Sequence, residues 1–191
     1  MVLAEVKQLT HALKEWAIAV DALTAGETVV LLRKGGIKER SFQVKYPSIW
    51  LYPTYEHQKP QLLKPKYASA VVPVESGWHP TTVTIKSCAE ISDVLSIDSE
   101  SKLEALLPYH IWNQETIAER FRWKPRQPLM LLLLRVYRLA QPQVIPYNNA
   151  YGGCKSWIDL AEPLTSDRLT PAITSDRYER IVREIKNLII S

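Results

Sequence analysis

Apolar positions recur at helical spacing near the start of the chain. Val6, Leu9, Leu13, Trp16, Ala17, Val20 and Leu23 share one face, while Lys7, Lys14, Glu15 and Asp21 fall off it. The pattern predicts an amphipathic helix stopped by Gly26. The spacing then shortens. Thr28 to Leu32 is apolar and β-branched, and Ser41 to Lys45 and Ser48 to Tyr52 read as two more strands. Residues 62–80 hold Pro65, Pro73, Gly77 and Pro80 without a clear period, which predicts a long irregular connection. Alternation returns from Thr82 to Ile97, as one long strand or a bent pair. Ser99 to Leu107 reads as a short helix. A second helix runs through Phe121 with Asn113 as its N-cap. Leu129 to Leu139 is nearly continuous in apolar side chains, interrupted by Arg135, and predicts a central strand. An irregular stretch from Gln141 to Ala150 and a short strand from Trp157 to Leu160 follow. Tyr178, Ile181, Val182, Ile185, Leu188 and Ile189 then form a clean helical stripe.

Strands do not alternate regularly with crossover helices. This argues against a doubly wound parallel sheet and for an α+β fold with a mixed or barrel-like sheet. The expected accessories are an N-terminal helix, two short helices and a C-terminal amphipathic helix. The expected layout is one domain over residues 1–164, with a polar spacer and terminal helix over 165–191 docked on it.

Composition narrows the function classes. The net charge of +4 permits a polyanionic partner without being the coat expected of a dedicated nucleic-acid protein. Six Trp and nine Tyr against two Phe favour half-buried surfaces and grooves. The longest strongly apolar run, Leu129 to Leu134, is far short of the roughly 20 residues that span a bilayer. With two cysteines, Cys88 and Cys154, and no secretory signal before the first predicted helix, the expectation is a soluble cytosolic protein with reduced thiols, without membrane association.

Three segments carry candidate chemistry. Arg33-Lys34-Gly35-Gly36 puts two cations beside a turn whose N–H groups can converge on an anion, without the phosphate-loop pattern of nucleotide-binding proteins. Tyr55-Glu56-His57-Gln58 offers a phenol, an acid, an imidazole and an amide, for acid–base work or for holding a base or sugar; the bland alternative is a turn capped by Thr54. Gly152-Gly153-Cys154-Lys155 is a second tight turn, carrying a lysine toward a ligand. His110, Trp112 and Trp157 complete the candidate set, His110 as a partner for His57 and the indoles as stacking platforms. Cys88, Cys154, His57 and His110 lack the paired spacing of a zinc site, so neither metal nor cofactor is expected. The Glu-x-Lys triplets, Glu5-Val6-Lys7 and Glu184-Ile185-Lys186, lie on predicted helices, which weakens a nuclease reading. The basic stripe Arg177, Arg180, Arg183 and Lys186 is interleaved with Glu179 and Glu184 and reads as a solvated face.

The blocks ALKEWAIAVDALTAGETVVLLRKGGI (12–37), WLYPTYEHQKPQLLKP (50–65), HIWNQETIAERF (110–121), LLLRVYRL and GGCKSW (within 132–157) resemble an uncharacterised bacterial family, the domain of unknown function 1802, frequent in photosynthetic bacteria. That resemblance implies kinship but no activity. The order of helix, glycine, apolar strand ending in arginine and β-rich body is similar to the small barrel of PUA-like domains, including the ASCH domains. Gly26 and Arg33 fall where that group's glycine and arginine would, while Thr28 and Leu31 replace its lysine and glutamate. This similarity implies binding of RNA or modified bases.

The leading expectation is therefore a non-enzymatic module for RNA or single-stranded nucleic acid. Arg33, Lys34 and Lys155 would meet phosphates, Tyr55, Trp112 and Trp157 would stack, and His57 and Gln58 would read a base edge. The alternatives are a metal-dependent phosphodiester hydrolase using Glu56 and His57, and a structural or regulatory module for a protein partner.

Overall fold

The computed structural model describes residues 8–34, 42–123, 125–165 and 168–190. Its elements are β1 (Gln8–Trp16), α1 (Ala17–Thr24), β2 (Val30–Lys34), β3 (Ser48–Thr54), α2 (Pro65–Ala68), β4 (Thr82–Ile97), α3 (Glu100–Ala105), α4 (Gln114–Arg122), β5 (Leu129–Pro146), β6 (Trp157–Thr165), β7 (Leu169–Pro171) and α5 (Ser175–Ile190). The strands form one mixed, open sheet in the order β2-β5-β4-β3-β1-β6, with β7 added beside β5. Only the β1–β3 pairing is parallel; β2–β5, β3–β4, β4–β5, β1–β6 and β5–β7 are antiparallel. The α+β expectation holds, and the sheet is mixed.

The predicted first helix is half a helix. Residues 8–16 are extended, between β3 and β6. The strand is paired on both edges and covered on both faces: Leu13 belongs to one apolar cluster and Ala12 to another. With both faces apolar the alternation that betrays a strand disappears, and the remaining spacing imitates a helix turn. The helix begins at Ala17 and ends before Gly26, whose φ of 73° suits glycine. A Cβ there would lie 2.5 Å from Ile173 Cγ2 and 2.7 Å from the Ala172 carbonyl oxygen.

The sheet has two apolar faces. On one, Leu13, Ile49, Leu51, Ala89 and the β2 and β5 leucines pack against α1, α4 and α5 residues such as Leu23, Ile117 and Ile185. On the other, Ala12, Trp50, Tyr52, Val83, Ile85, Cys88, Tyr137 and Tyr151 form a smaller cluster. Neighbours such as Trp50 and Leu51 divide between the two because strand side chains alternate.

β4 is a single strand with two register shifts, between Ile85 and Ser87 and between Ile91 and Asp93. β5 is longer than its apolar run predicts and continues through Pro146, because β4 supplies partners as far as Thr82. Phe42 to Lys45 is not a strand, and Ser41 lies outside the described residues. The terminal helix buries Tyr178, Ile185 and Ile189. The Tyr178 hydroxyl is 2.6 Å from Ser92 Oγ, Tyr109 donates to Glu184 at 3.1 Å, and Lys186 pairs with Asp93. No helix among the described residues is long and apolar enough to cross a membrane.

Candidate functional site

A cleft of about 520 Å³ opens where β1, β2 and β3 end near the turns after β3, before β4 and before β6. Its lining includes the cations Lys14, Arg33, Arg120 and Lys155 and the carboxylates Glu15 and Glu56. It also includes the rings of Trp16, Tyr52, Tyr55, Trp78, His79, Tyr147 and Tyr151. The volume falls in the range of small-ligand sites.

The floor is a buried ion pair. Arg33 donates to Glu15 at 3.0 Å, with the two side chains 14% and 9% exposed. The other Glu15 oxygen accepts the Trp16 N–H at 2.8 Å, and Arg33 also donates to the Lys14 carbonyl. Arg33 Nε is buried without a partner. Arg120 lies with its guanidinium 5.3 Å from the Trp112 ring centroid. Burial lowers its pKa from the arginine range, with Arg33 adding to the effect and Glu15 opposing it.

The glycine turn before β6 forms one wall. Gly153 has φ 74°, a left-handed conformation suited to glycine. Lys14 donates to the carbonyls of Tyr151 at 2.5 Å and Gly153 at 2.8 Å, which joins β1 to this turn. Burial lowers the Lys14 pKa, and Cys154 works in the opposite direction. Lys155 is exposed and donates to the Ala150 carbonyl at 3.2 Å.

The opposite rim is fastened by Glu56. Its carboxylate accepts the Gly77 N–H at 2.6 Å and the Ser76 hydroxyl at 3.3 Å, and lies 3.2 Å from His57 Nε2. The Gly77 bond is the main reason its pKa falls below the ordinary carboxylate value. This anchors the segment that presents Trp78, 45% exposed, edge-on to Tyr55 at 5.9 Å. His79 stacks on Tyr147 at 3.6 Å. Tyr151 contacts both Tyr147 and Tyr52 edge-on.

The expected site residues therefore divide. Arg33, Tyr55, Glu56, Gly152, Gly153 and Lys155 line the cleft. Gly35 and Gly36 lie outside the described residues. Lys34 is not in the lining, since neighbours on a strand face opposite ways. It donates to the carbonyls of Arg120 at 3.0 Å and Phe121 at 2.7 Å, capping the end of α4. His57 is exposed at φ 65°. Gln58 is buried, and its side-chain oxygen accepts the Ile18 N–H at the start of α1. His110 is 3% exposed, with neither ring nitrogen hydrogen-bonded, and burial pushes its pKa down to about 4. Trp112 is buried edge-on to Trp16 at 5.0 Å, and Trp157 packs on Phe42 and donates to the Gln43 carbonyl. These last residues support the fold around the cleft.

Lys14, Glu15, Trp16, Tyr52, Trp78, His79, Arg120, Tyr147 and Tyr151 are among the cleft residues that the sequence did not single out. The proline-rich connection containing Trp78 and His79 was a usable signal, because long irregular connections often carry function. Lys14 and Tyr52 gave none, since their juxtaposition depends on the parallel β1–β3 register that pairs them. Among the described residues, no three His, Cys, Asp or Glu side chains converge as metal ligands.

The model for the domain of unknown function DUF1802 matches residues 12–184. The chain belongs to this family. No curated protein matches it in sequence. Among solved structures, the DUF1802 chain is similar to the "Crystal structure of ASCH from Zymomonas mobilis", with 12% identity and a TM-score of 0.48 over 91% of this chain and 93% of that one. It is likewise similar to the crystal structure of a mutant of the Zymomonas mobilis ASCH protein, with 12% identity and a TM-score of 0.45 over 94% of this chain and 98% of that one. These are distant likenesses, and no activity is carried over from them.

Proposed function

We propose that the cleft binds single-stranded nucleic acid, RNA in particular, and that the protein is a cytosolic, non-enzymatic binding module. The observation that carries this reading is the meeting of Lys14, Arg33, Arg120 and Lys155 with the faces and edges of Tyr55, Trp78, His79 and Tyr147 in one hollow. Cations follow a phosphate backbone, and aromatic faces take unstacked bases whatever their sequence. Among the described residues, Lys155 has no carboxylate at ion-pair distance, and its exposed amine can meet a ligand. Glu56 acts in this reading as the fastening of the Trp78 rim rather than as a catalytic base.

The test is fluorescence anisotropy of labelled single-stranded RNA and DNA at low and physiological salt, with Mg²⁺ present and the strands run on a gel afterwards. Saturable, salt-sensitive binding with intact strands is expected. Trp78→Ala should weaken it roughly 5- to 100-fold, the loss of about 1–3 kcal/mol for one stacked base. Lys155→Glu should weaken it about tenfold and flatten the salt dependence. Cleaved strands would replace the module with a hydrolase, and unchanged affinity in both variants would move the site away from the cleft.

A further inference from the structure

Within the cleft, the Tyr52 hydroxyl is unusual. Tyr52 is 3% exposed and lines the hollow, yet its hydroxyl is buried without a hydrogen-bond partner. A buried polar group left unpaired costs about 1–3 kcal/mol, so such groups are normally satisfied. Tyr52 is held on β3, between β4 and β1, which fixes its position in the cleft wall. Its neighbours are the rings of Tyr147, Tyr151 and Tyr55. Burial pushes the Tyr52 phenol up, so the hydroxyl stays protonated and able to donate. The other buried, unpartnered polar atom in the cleft lining, Arg33 Nε, is also a donor.

We propose that the aromatic end of the cleft is a base-reading subsite in which the Tyr52 hydroxyl donates a hydrogen bond to the keto oxygen of one unstacked nucleobase. This rests on the single-strand reading above and adds to it a specificity-determining residue and a substrate class, the keto bases uracil and guanine. The shape supports a base over a phosphate. The Tyr52 ring lies beside those of Tyr147, Tyr151 and Tyr55, which suit a flat ring, and Lys14, paired with Tyr52 across β1 and β3, is held by the Tyr151 and Gly153 carbonyls. The cations Arg33 and Arg120 form a separate group around Glu15, suited to the backbone. On the edge where uracil and guanine carry a keto oxygen, cytosine and adenine carry an amine, which meets the phenol only through its oxygen, the weaker half of its hydrogen-bonding capacity.

The experiment is anisotropy with labelled oligouridylate, oligoadenylate and oligocytidylate of equal length, using the full chain and its Tyr52→Phe variant, with thermal midpoints recorded for both. The wild type should prefer oligouridylate. Tyr52→Phe should lose roughly three- to tenfold on oligouridylate, the range of one hydrogen bond, and change little on the other two. Lys155→Glu in parallel should weaken all three alike. An equal loss on all three oligomers with Tyr52→Phe would place the hydroxyl on the backbone and overturn the proposal. So would an unchanged ranking in a variant that retains its thermal midpoint. Binding without base preference in the wild type would overturn the subsite while leaving the single-strand reading intact. Absence of binding to any oligomer would overturn both.

Discussion

Two hollows in this molecule differ more in chemistry than in size. The cleft at the strand ends, about 520 Å³, gathers Lys14, Arg33, Arg120 and Lys155 with the rings of Tyr55, Trp78, His79 and Tyr147. A groove of about 820 Å³ between α3 and α4 is lined by Glu100, Glu104, Glu115 and Glu119 against Arg122. The groove's charges have a local explanation. Glu100 and Glu115 occupy the first turns of α3 and α4, where negative charge complements the helix dipole, and Arg122 donates to Glu100 at 2.9 Å. Lys155 in the cleft has no such explanation: it projects from a glycine turn, and its side-chain amine donates to the Ala150 carbonyl. A chain of modest net charge has thus placed acids where helices use them and cations where rings and strand ends meet. The larger hollow is the weaker candidate for a nucleic-acid site because its charge has the wrong sign.

The comparison can be broken first at the floor of the cleft. Arg33→Ala leaves the Glu15 carboxylate buried without its cation, and should cost about 4 kcal/mol in urea unfolding. A loss below about 1 kcal/mol would mean that the pair is solvated rather than part of a buried floor.

The α3–α4 side has its own buried polar group, His110, beneath Lys64, which donates to the His110 carbonyl. Its folded pKa of about 4 lies below the ordinary value of 6.5. Between those values the unfolded chain binds the extra proton, so stability rises with pH across this window and is lost as pH falls from 6.5 toward 4. The expected loss is roughly 2–3 kcal/mol. His110→Leu should flatten that part of the melting-temperature profile. An unaltered profile would show that carboxylates alone drive the acid loss.

The smallest effect is expected in the groove. Glu104→Lys with Glu119→Lys should change RNA affinity by less than about twofold, since screening limits distant charges at physiological salt. A large gain in affinity would erase the distinction between the two hollows and make the groove part of the binding surface.

Much of the cleft's raw material could be read from single positions. Arg33 was marked by the end of an apolar strand, Lys155 by a double glycine, and Glu56 by its polar cluster. Their roles could not be read in the same way. Lys34 and Arg33 are adjacent and equally basic, yet one caps α4 and the other anchors the cleft, because a strand turns neighbours to opposite faces. Gln58 and His57 are parted similarly, one capping α1 and one exposed.

By itself, the sequence determined the elements that need only local chemistry. These are the capped helix after Asn113, the apolar β5, the amphipathic α5 and the stop at Gly26. The α+β class followed from their order. Only the tertiary structure decided that residues 8–16 form a strand, that β1 and β3 run parallel, and that Lys14 and Tyr52 therefore come together. Burial of both faces removes the hydrophobic alternation that marks a strand, and partners far apart in sequence leave no periodic trace. The cleft is built from such pairings.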